Sequence, residues 1–109
     1  MTVVAERALE FYGDDGVSAG VVRAYAPYMD ARLENPWICK FEISWPGHEE
    51  RRSVFGPDSW TVLFAAPAVV ARLIAAAPDF KKGRIGVFGE RPRTPEQIEE
   101  FLGLMRPKQ

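Results

Sequence analysis

The chain contains one cysteine, Cys39, and one histidine, His48. A catalytic thiol needs a base within hydrogen-bonding reach, and histidine commonly supplies it. Cys39 lies in an alternating apolar segment that predicts a strand, whereas Pro46-Gly47-His48-Glu49 predicts the turn of a hairpin. Several residues at about 3.3 Å each separate the two side chains. We therefore expect no Cys–His pair, and we expect Cys39 to be a buried, unreactive core residue.

Metal and cofactor motifs are missing from the sequence. A structural zinc site usually takes four cysteine or histidine ligands, and this chain has two such residues. The adjacent acids Asp14 and Asp15 lie between glycines, so turn chemistry explains them without a metal. The sequence therefore predicts no cofactor and leans towards a protein that is not an enzyme.

Basic side chains concentrate in the C-terminal third of the chain. Residues 1–50 contain nine acidic and four basic side chains, whereas five basic residues surround one short predicted strand. These candidate binding residues are Lys81, Lys82, Arg84, Arg91 and Arg93. The net charge is only −1, which is unlike a nucleic-acid-binding domain. The pattern predicts a surface for an acidic protein partner and none for nucleic acid.

Four segments have the alternation or turn-bounded length of strands: Val3 to Phe11, Val17 to Ala26, Trp37 to Trp45 and Arg51 to Phe55. Their connections are short, which predicts an antiparallel meander. The longest connection, residues 27–36, is predicted to be a loop. In the third segment Trp37, Cys39, Phe41, Ile43 and Trp45 share one face, and we expect that face to be core.

The pattern then changes to a helical period. The apolar positions with this spacing are Trp60, Leu63, Phe64, Pro67, Ala71 and Ile74. Asp58 or Ser59 can cap the helix, Pro67 should either kink or divide it, and Pro78-Asp79 should end it before a Lys81-Lys82-Gly83 loop.

A fifth strand, Arg84 to Phe88, and a last helix are predicted after that loop. Thr94 can cap this helix, Pro95 suits its first position and Gln97 completes a capping box. Its apolar stripe is Ile98, Phe101, Leu102 and Met105, and Pro107 should stop it. We expect this stripe to pack either on the sheet of its own chain or on a second copy of the chain. In the second case the protein would form a homodimer through this helix.

These elements predict a single α+β domain over residues 1–109, in the order ββββαβα. The longest apolar run, Val62 to Ala77, is interrupted by Pro67 and Arg72, so we expect no membrane span. The first residues carry Glu6, Arg7 and Glu10, which is unlike a secretory signal. A cytoplasmic location is the resulting expectation.

Two motifs in combination resemble a family of small bacterial proteins that is classed as a domain of unknown function. The first is the strand Trp37-Ile-Cys39-Lys-Phe41-Glu-Ile43, and the second is the helix start Phe55-Gly56-Pro-Asp58-Ser59. The resemblance covers about residues 3–77 and implies the meander-plus-helix layout and a bacterial source. It implies no activity and no site residues. Pro67 departs from the uninterrupted helix of those relatives, and the segment from Thr94 onward has no match.

Three functional hypotheses remain at this point. The favoured one is a non-catalytic protein-interaction domain, such as an immunity or adaptor protein, because catalytic residue types are scarce and charge is unevenly distributed. The alternative is a small-ligand-binding domain that uses the aromatic face of the sheet as a pocket. An enzyme that uses only carboxylates and arginines is the third. A closed apolar cavity beneath the aromatic face would favour the second hypothesis, and a filled core with a surface patch would favour the first.

Overall fold

The computed structural model describes residues 2–102 and consists of one antiparallel sheet with helices on one face. Its elements are β1 (Val3–Gly13), β2 (Gly16–Tyr25), β3 (Tyr28–Met29), β4 (Trp37–Trp45), β5 (His48–Gly56), α1 (Ser59–Ala76), α2 (Pro78–Lys81), β6 (Ile85–Gly86) and α3 (Pro95–Phe101). The predicted α+β class is confirmed.

The four long strands form the expected meander. β1 pairs with β2, β2 with residues 41–44 of β4, and β4 with β5, all antiparallel. The first hairpin turns through Asp14 and Asp15, and the second through Pro46 and Gly47. Gly47 has φ 83°, which suits the second central position of a Pro-Gly turn. β6 extends the sheet beyond β1.

The predicted core face of β4 is the core of the molecule. Cys39, Phe41 and Ile43 are fully buried beneath α1, and Trp45 is nearly so. The indole N–H of Trp45 donates a hydrogen bond to Asp79 Oδ2 at 2.8 Å, which ties β4 to α2. The opposite face of the sheet carries no helix in the described part of the chain.

Helix α1 continues through Pro67, so this proline does not divide it. Proline has no N–H, so the carbonyl of Leu63 has no partner four residues later. Leu63 lies on the exposed side, where water can solvate that carbonyl. By length and composition alone α1 could also cross a membrane, with a mean hydropathy of 1.7 over 18 residues. It packs Val62, Val70 and Ile74 against the sheet.

Several predicted boundaries were wrong. The loop at 27–36 contains β3, because Tyr28 and Met29 pair with the start of β4. β5 starts at His48 because the turn has only two residues, and the fifth predicted strand shortens to β6. The segment after Pro78 is the short helix α2 instead of a loop, since proline at its first position presets the helical φ.

Helix α3 begins as predicted, with Thr94 Oγ1 accepting from the Gln97 N–H at 3.2 Å. The capping box is not formed as expected, because Gln97 Oε1 accepts from the Arg93 N–H and not from that of Thr94. Ile98 is fully buried in the main core, and Phe101 and Leu102 pack against it. The remaining predicted features of this helix, Met105 and Pro107, lie outside the described residues.

Candidate functional site

An exposed aromatic patch lies on the first half of α1. Asp58 accepts a hydrogen bond from the Thr61 N–H at 2.7 Å, so the helix begins at Ser59. This start places Trp60, Leu63 and Phe64 on one face, at the i, i+3 and i+4 positions. Trp60 is 70% exposed and Phe64 53%, and their rings contact each other at a centroid distance of 4.9 Å. We call these three residues the α1 patch.

A groove of about 160 Å³ lies next to the α1 patch, between α1 and the sheet. Its apolar lining includes Val22 and Phe41 from the sheet and Leu63, Pro67 and Leu102 from the helical side. Leu63 belongs to both features, so the patch and the groove form one apolar surface. We call this recess the α1 groove.

Arg7 is the cation of the α1 groove. Its cross-strand partner is Val22, so it lies on the helix-facing side of β1. The Nε atom is buried and has no hydrogen-bond partner within the part of the chain that the structure describes. Its guanidinium lies 4.7 Å from the ring centre of Phe88, an exposed residue at φ 54°. An uncompensated donor beside an apolar groove favours a ligand that brings an acceptor.

The basic residues predicted from the sequence lie around β6, and two arginines of this set are already engaged. Arg84 forms an ion pair with Asp14 at 3.0 Å, and its carbonyl accepts from the Tyr12 N–H. The guanidinium of Arg91 stacks on the Tyr12 ring at 3.8 Å. The structure therefore brings Arg84 and Arg91 together at Tyr12.

The other three basic residues gather around Gly83. A Cβ added to Gly83 would lie 2.8 Å from Nη1 of Arg93, so this guanidinium covers the glycine. Lys81 and Lys82 precede Gly83 at the exposed end of α2. The five side chains form two neighbouring groups, and all of them except Arg84 are exposed.

A comparison with protein-family models matches residues 5–94 to a domain of unknown function, DUF6968. The chain belongs to this family. The match confirms the resemblance found in the sequence and extends it beyond residue 77. It includes Arg7 and the α1 patch, and it ends at Thr94, the cap of α3. Neither the curated proteins nor the solved structures contain a significant match to the chain.

The DUF6968 match brings no site residues, and sequence reasoning missed the α1 patch. The helical spacing groups Trp60, Leu63 and Phe64 with Ala71 and Ile74 and does not say which of them are exposed. The inward positions are Val62, Ala66, Val70, Ala71 and Ile74. The missed signal is that only Arg72 is charged between residues 59 and 76, so part of an apolar surface had to face water.

The potential nucleophile Cys39 and the potential base His48 do not lie close together in the structure. Cys39 pairs with Val54, whereas His48 pairs with Trp45, which places them six residues apart along the hairpin, or about 20 Å. His48 is not at the hairpin tip as predicted. It starts β5, stacks on Trp45 at 4.1 Å and lies 2.8 Å from Glu50 Oε1. No group of three potential metal ligands occurs among residues 2–102.

Proposed function

We propose that this chain is a non-catalytic protein-interaction domain that binds another protein through the α1 patch and the α1 groove. The observation that supports it is the exposed Trp60–Phe64 pair, continuous through Leu63 with an apolar groove. Exposed aromatic clusters of this kind are the usual anchors of protein interfaces. The small-ligand hypothesis finds a recess of about 340 Å³ around Glu42 and Arg51, but its lining is mainly polar and is not the aromatic core face that this hypothesis invokes.

The chemistry of the groove defines the partner. Apolar side chains fit the walls formed by Leu63, Pro67 and Phe41. A carboxylate beside them would complement Arg7, whose Nε has no acceptor in the described structure. We therefore propose a partner segment that combines apolar residues with an acidic one, in line with the acidic partner expected from the sequence.

The basic residues of the C-terminal third have a secondary role in this proposal. Lys81 and Lys82 are exposed, so they can attract an acidic protein over a distance. Arg84 is paired with Asp14 and Arg91 stacks on Tyr12, whereas the exposed Arg93 lies close to Gly83. Reversing the charges of Lys81 and Lys82 should slow association with the partner more than it accelerates dissociation.

The small-ligand alternative has less support. The aromatic face that it requires is packed under α1, with Phe41 and Trp45 buried. The α1 groove, at about 160 Å³, is smaller than the roughly 300–1,000 Å³ typical of ligand pockets. A recess of this size accommodates one or two side chains of a protein partner.

The test is affinity capture from the source organism, followed by purification of the captured protein and measurement of its binary Kd. Trp60→Ser with Phe64→Ser should weaken binding by at least tenfold, and Arg7→Glu should do so independently. Val17→Ser is the matched control, because Val17 is exposed on a strand remote in sequence from α1. Equal binding by wild type and both patch variants would remove the α1 surface from consideration.

A further inference from the structure

The face of the sheet opposite α1 carries a row of alternating charges across all four long strands. Glu6 of β1 pairs in register with Arg23 of β2, Arg23 with Glu42 of β4, and Glu42 with Arg51 of β5. Glu6 and Arg23 form an ion pair, and Arg51 approaches Glu42 to 4.0 Å. We call these four residues the charge row. Its sign sequence is minus, plus, minus, plus.

An apolar row crosses the same face nearer one end of the sheet. Tyr28 of β3 pairs in register with Ile38 of β4, and Ile38 pairs with Phe55 of β5. Ile38 lies two positions before Lys40 and four before Glu42, so it shares their face of the strand. Phe55 is about half exposed and Tyr28 is exposed to a smaller degree, whereas Ile38 between them is almost fully buried. No described helix covers Phe55 or Tyr28. The open face therefore combines a polar row with an apolar row.

The charge row is complementary to itself. A two-fold axis parallel to the strands, placed between Arg23 and Glu42, reverses the order of the row in a second copy. Arg23 then faces the partner's Glu42, and Glu6 faces the partner's Arg51. Every position of the row meets an opposite charge, and the arrangement closes as a dimer.

The same axis also matches the apolar row. Tyr28 lies on the β2 side of β4, so the rotation places it opposite the partner's Ile38. We propose that a second copy of this chain covers the open face, with the charge row setting the register and the apolar row excluding water. This inference uses the face opposite α1, so it goes beyond the proposed function and can fail without affecting it.

The size of the face sets the strength of this dimer. Four strands about 4.8 Å apart and nine residues long at about 3.3 Å each present roughly 600 Å². A standard stable interface buries about 800 Å² on each partner. Exposed ion pairs also contribute little each and are screened by salt. The dimer is therefore weak, concentration-dependent and favoured by low ionic strength.

The test is sedimentation equilibrium of the wild type and of single charge reversals at the centre of the row. Arg23→Glu places two like-charged pairs in its homodimer, and so does Glu42→Arg. Each variant alone should dimerise at least tenfold more weakly than the wild type. In a mixture of the two variants, both central pairs are again opposite in charge, so a heterodimer should form with near-wild-type affinity.

The control is Arg72→Glu, which changes the net charge by the same amount as Arg23→Glu but lies on α1, away from the open face. It should leave self-association unchanged, and circular dichroism should show all variants folded. A wild type that stays monomeric at low salt would overturn the proposal. So would a mixture that associates no better than its components, or a dimer that Phe101→Ser in α3 disrupts while Arg23→Glu does not.

Discussion

At the scale of single residues, burial determines how the potentially reactive side chains behave. Cys39 is fully buried between the sheet and α1, and its Sγ lies 3.5 Å from the carbonyl oxygen of Tyr25. Burial raises the pKa of the Cys39 thiol, because the thiolate would lose its hydration. The opposite case is Trp60, whose exposure leaves a large apolar ring in water. The Trp60 ring is therefore accessible to another molecule, whereas the Cys39 thiol is not.

We expect the Cys39 thiol to react slowly with a bulky disulfide reagent in the native protein. Its raised pKa keeps the thiolate population low at neutral pH, and packing blocks the reagent. The measurement is the rate of colour release with and without denaturant, and unfolding should bring the rate to that of a free cysteine. Native labelling as fast as that of the unfolded chain would contradict the burial of Cys39.

At the scale of elements, α1 depends on its start as well as on its packing. The carboxylate of Asp58 accepts from the Thr61 N–H at 2.7 Å, and this bond lowers the pKa of Asp58. The cap determines where the helix begins, and packing against the sheet determines which face of the helix points inward. Val62, Ala66 and Val70 are small enough to pack closely there, so the bulkier Trp60 and Phe64 remain outside.

We expect Asp58→Ala to lower the melting temperature at neutral pH, whereas Asp58→Asn should keep most of the cap. The pKa of Asp58 is lower in the folded state than in the unfolded state. The charged cap therefore makes its full contribution to the stability of the fold at a pH above the unfolded-state pKa of about 3.9. This contribution to stability is lost as the pH falls through the folded-state pKa of Asp58. Thermal melts between neutral pH and strong acid should therefore show less acid sensitivity at this site in Asp58→Asn than in the wild type.

At the scale of the whole molecule, one sheet separates two different surfaces. The face under α1 contributes to the core, and α1 itself presents the α1 patch on that side of the molecule. The open face carries the charge row and the apolar row. Helix α3 lies beyond the DUF6968 match, yet it inserts Ile98 into the main core against α1. The folded unit therefore extends past the family boundary at Thr94.

We expect Ile98→Ala to lower the free energy of unfolding by about 2–5 kcal/mol, because it leaves a cavity in the closed core. Glu96→Ala is the matched control on the same helix, since Glu96 is exposed and its loss should have little effect. Urea unfolding monitored by tryptophan fluorescence gives both values. If Ile98→Ala were as stable as the control, α3 would not be part of the cooperative core.

The strands were predictable because local sequence specifies them. Alternation from Trp37 to Trp45 identified β4 and its core face, and the Pro-Gly and Asp-Asp turns identified the hairpins. The cap of α3, Thr94, was also predictable, and the cap of α1 was narrowed to Asp58 or Ser59, of which the structure uses Asp58. Each of these features depends on residues within a few positions of one another, so the sequence alone determined them.

The candidate surfaces depended on tertiary structure instead. Helix α1 is apolar on all sides, so only packing against β4 and β5 decided that Val62 faces inward and Trp60 outward. The charge row joins Glu6, Arg23, Glu42 and Arg51, which are separated in the chain and meet only through strand register. The sequence thus determined the fold class and the local elements of this protein. The tertiary structure decided its surfaces, because long-range pairing and packing select which side chains stay exposed.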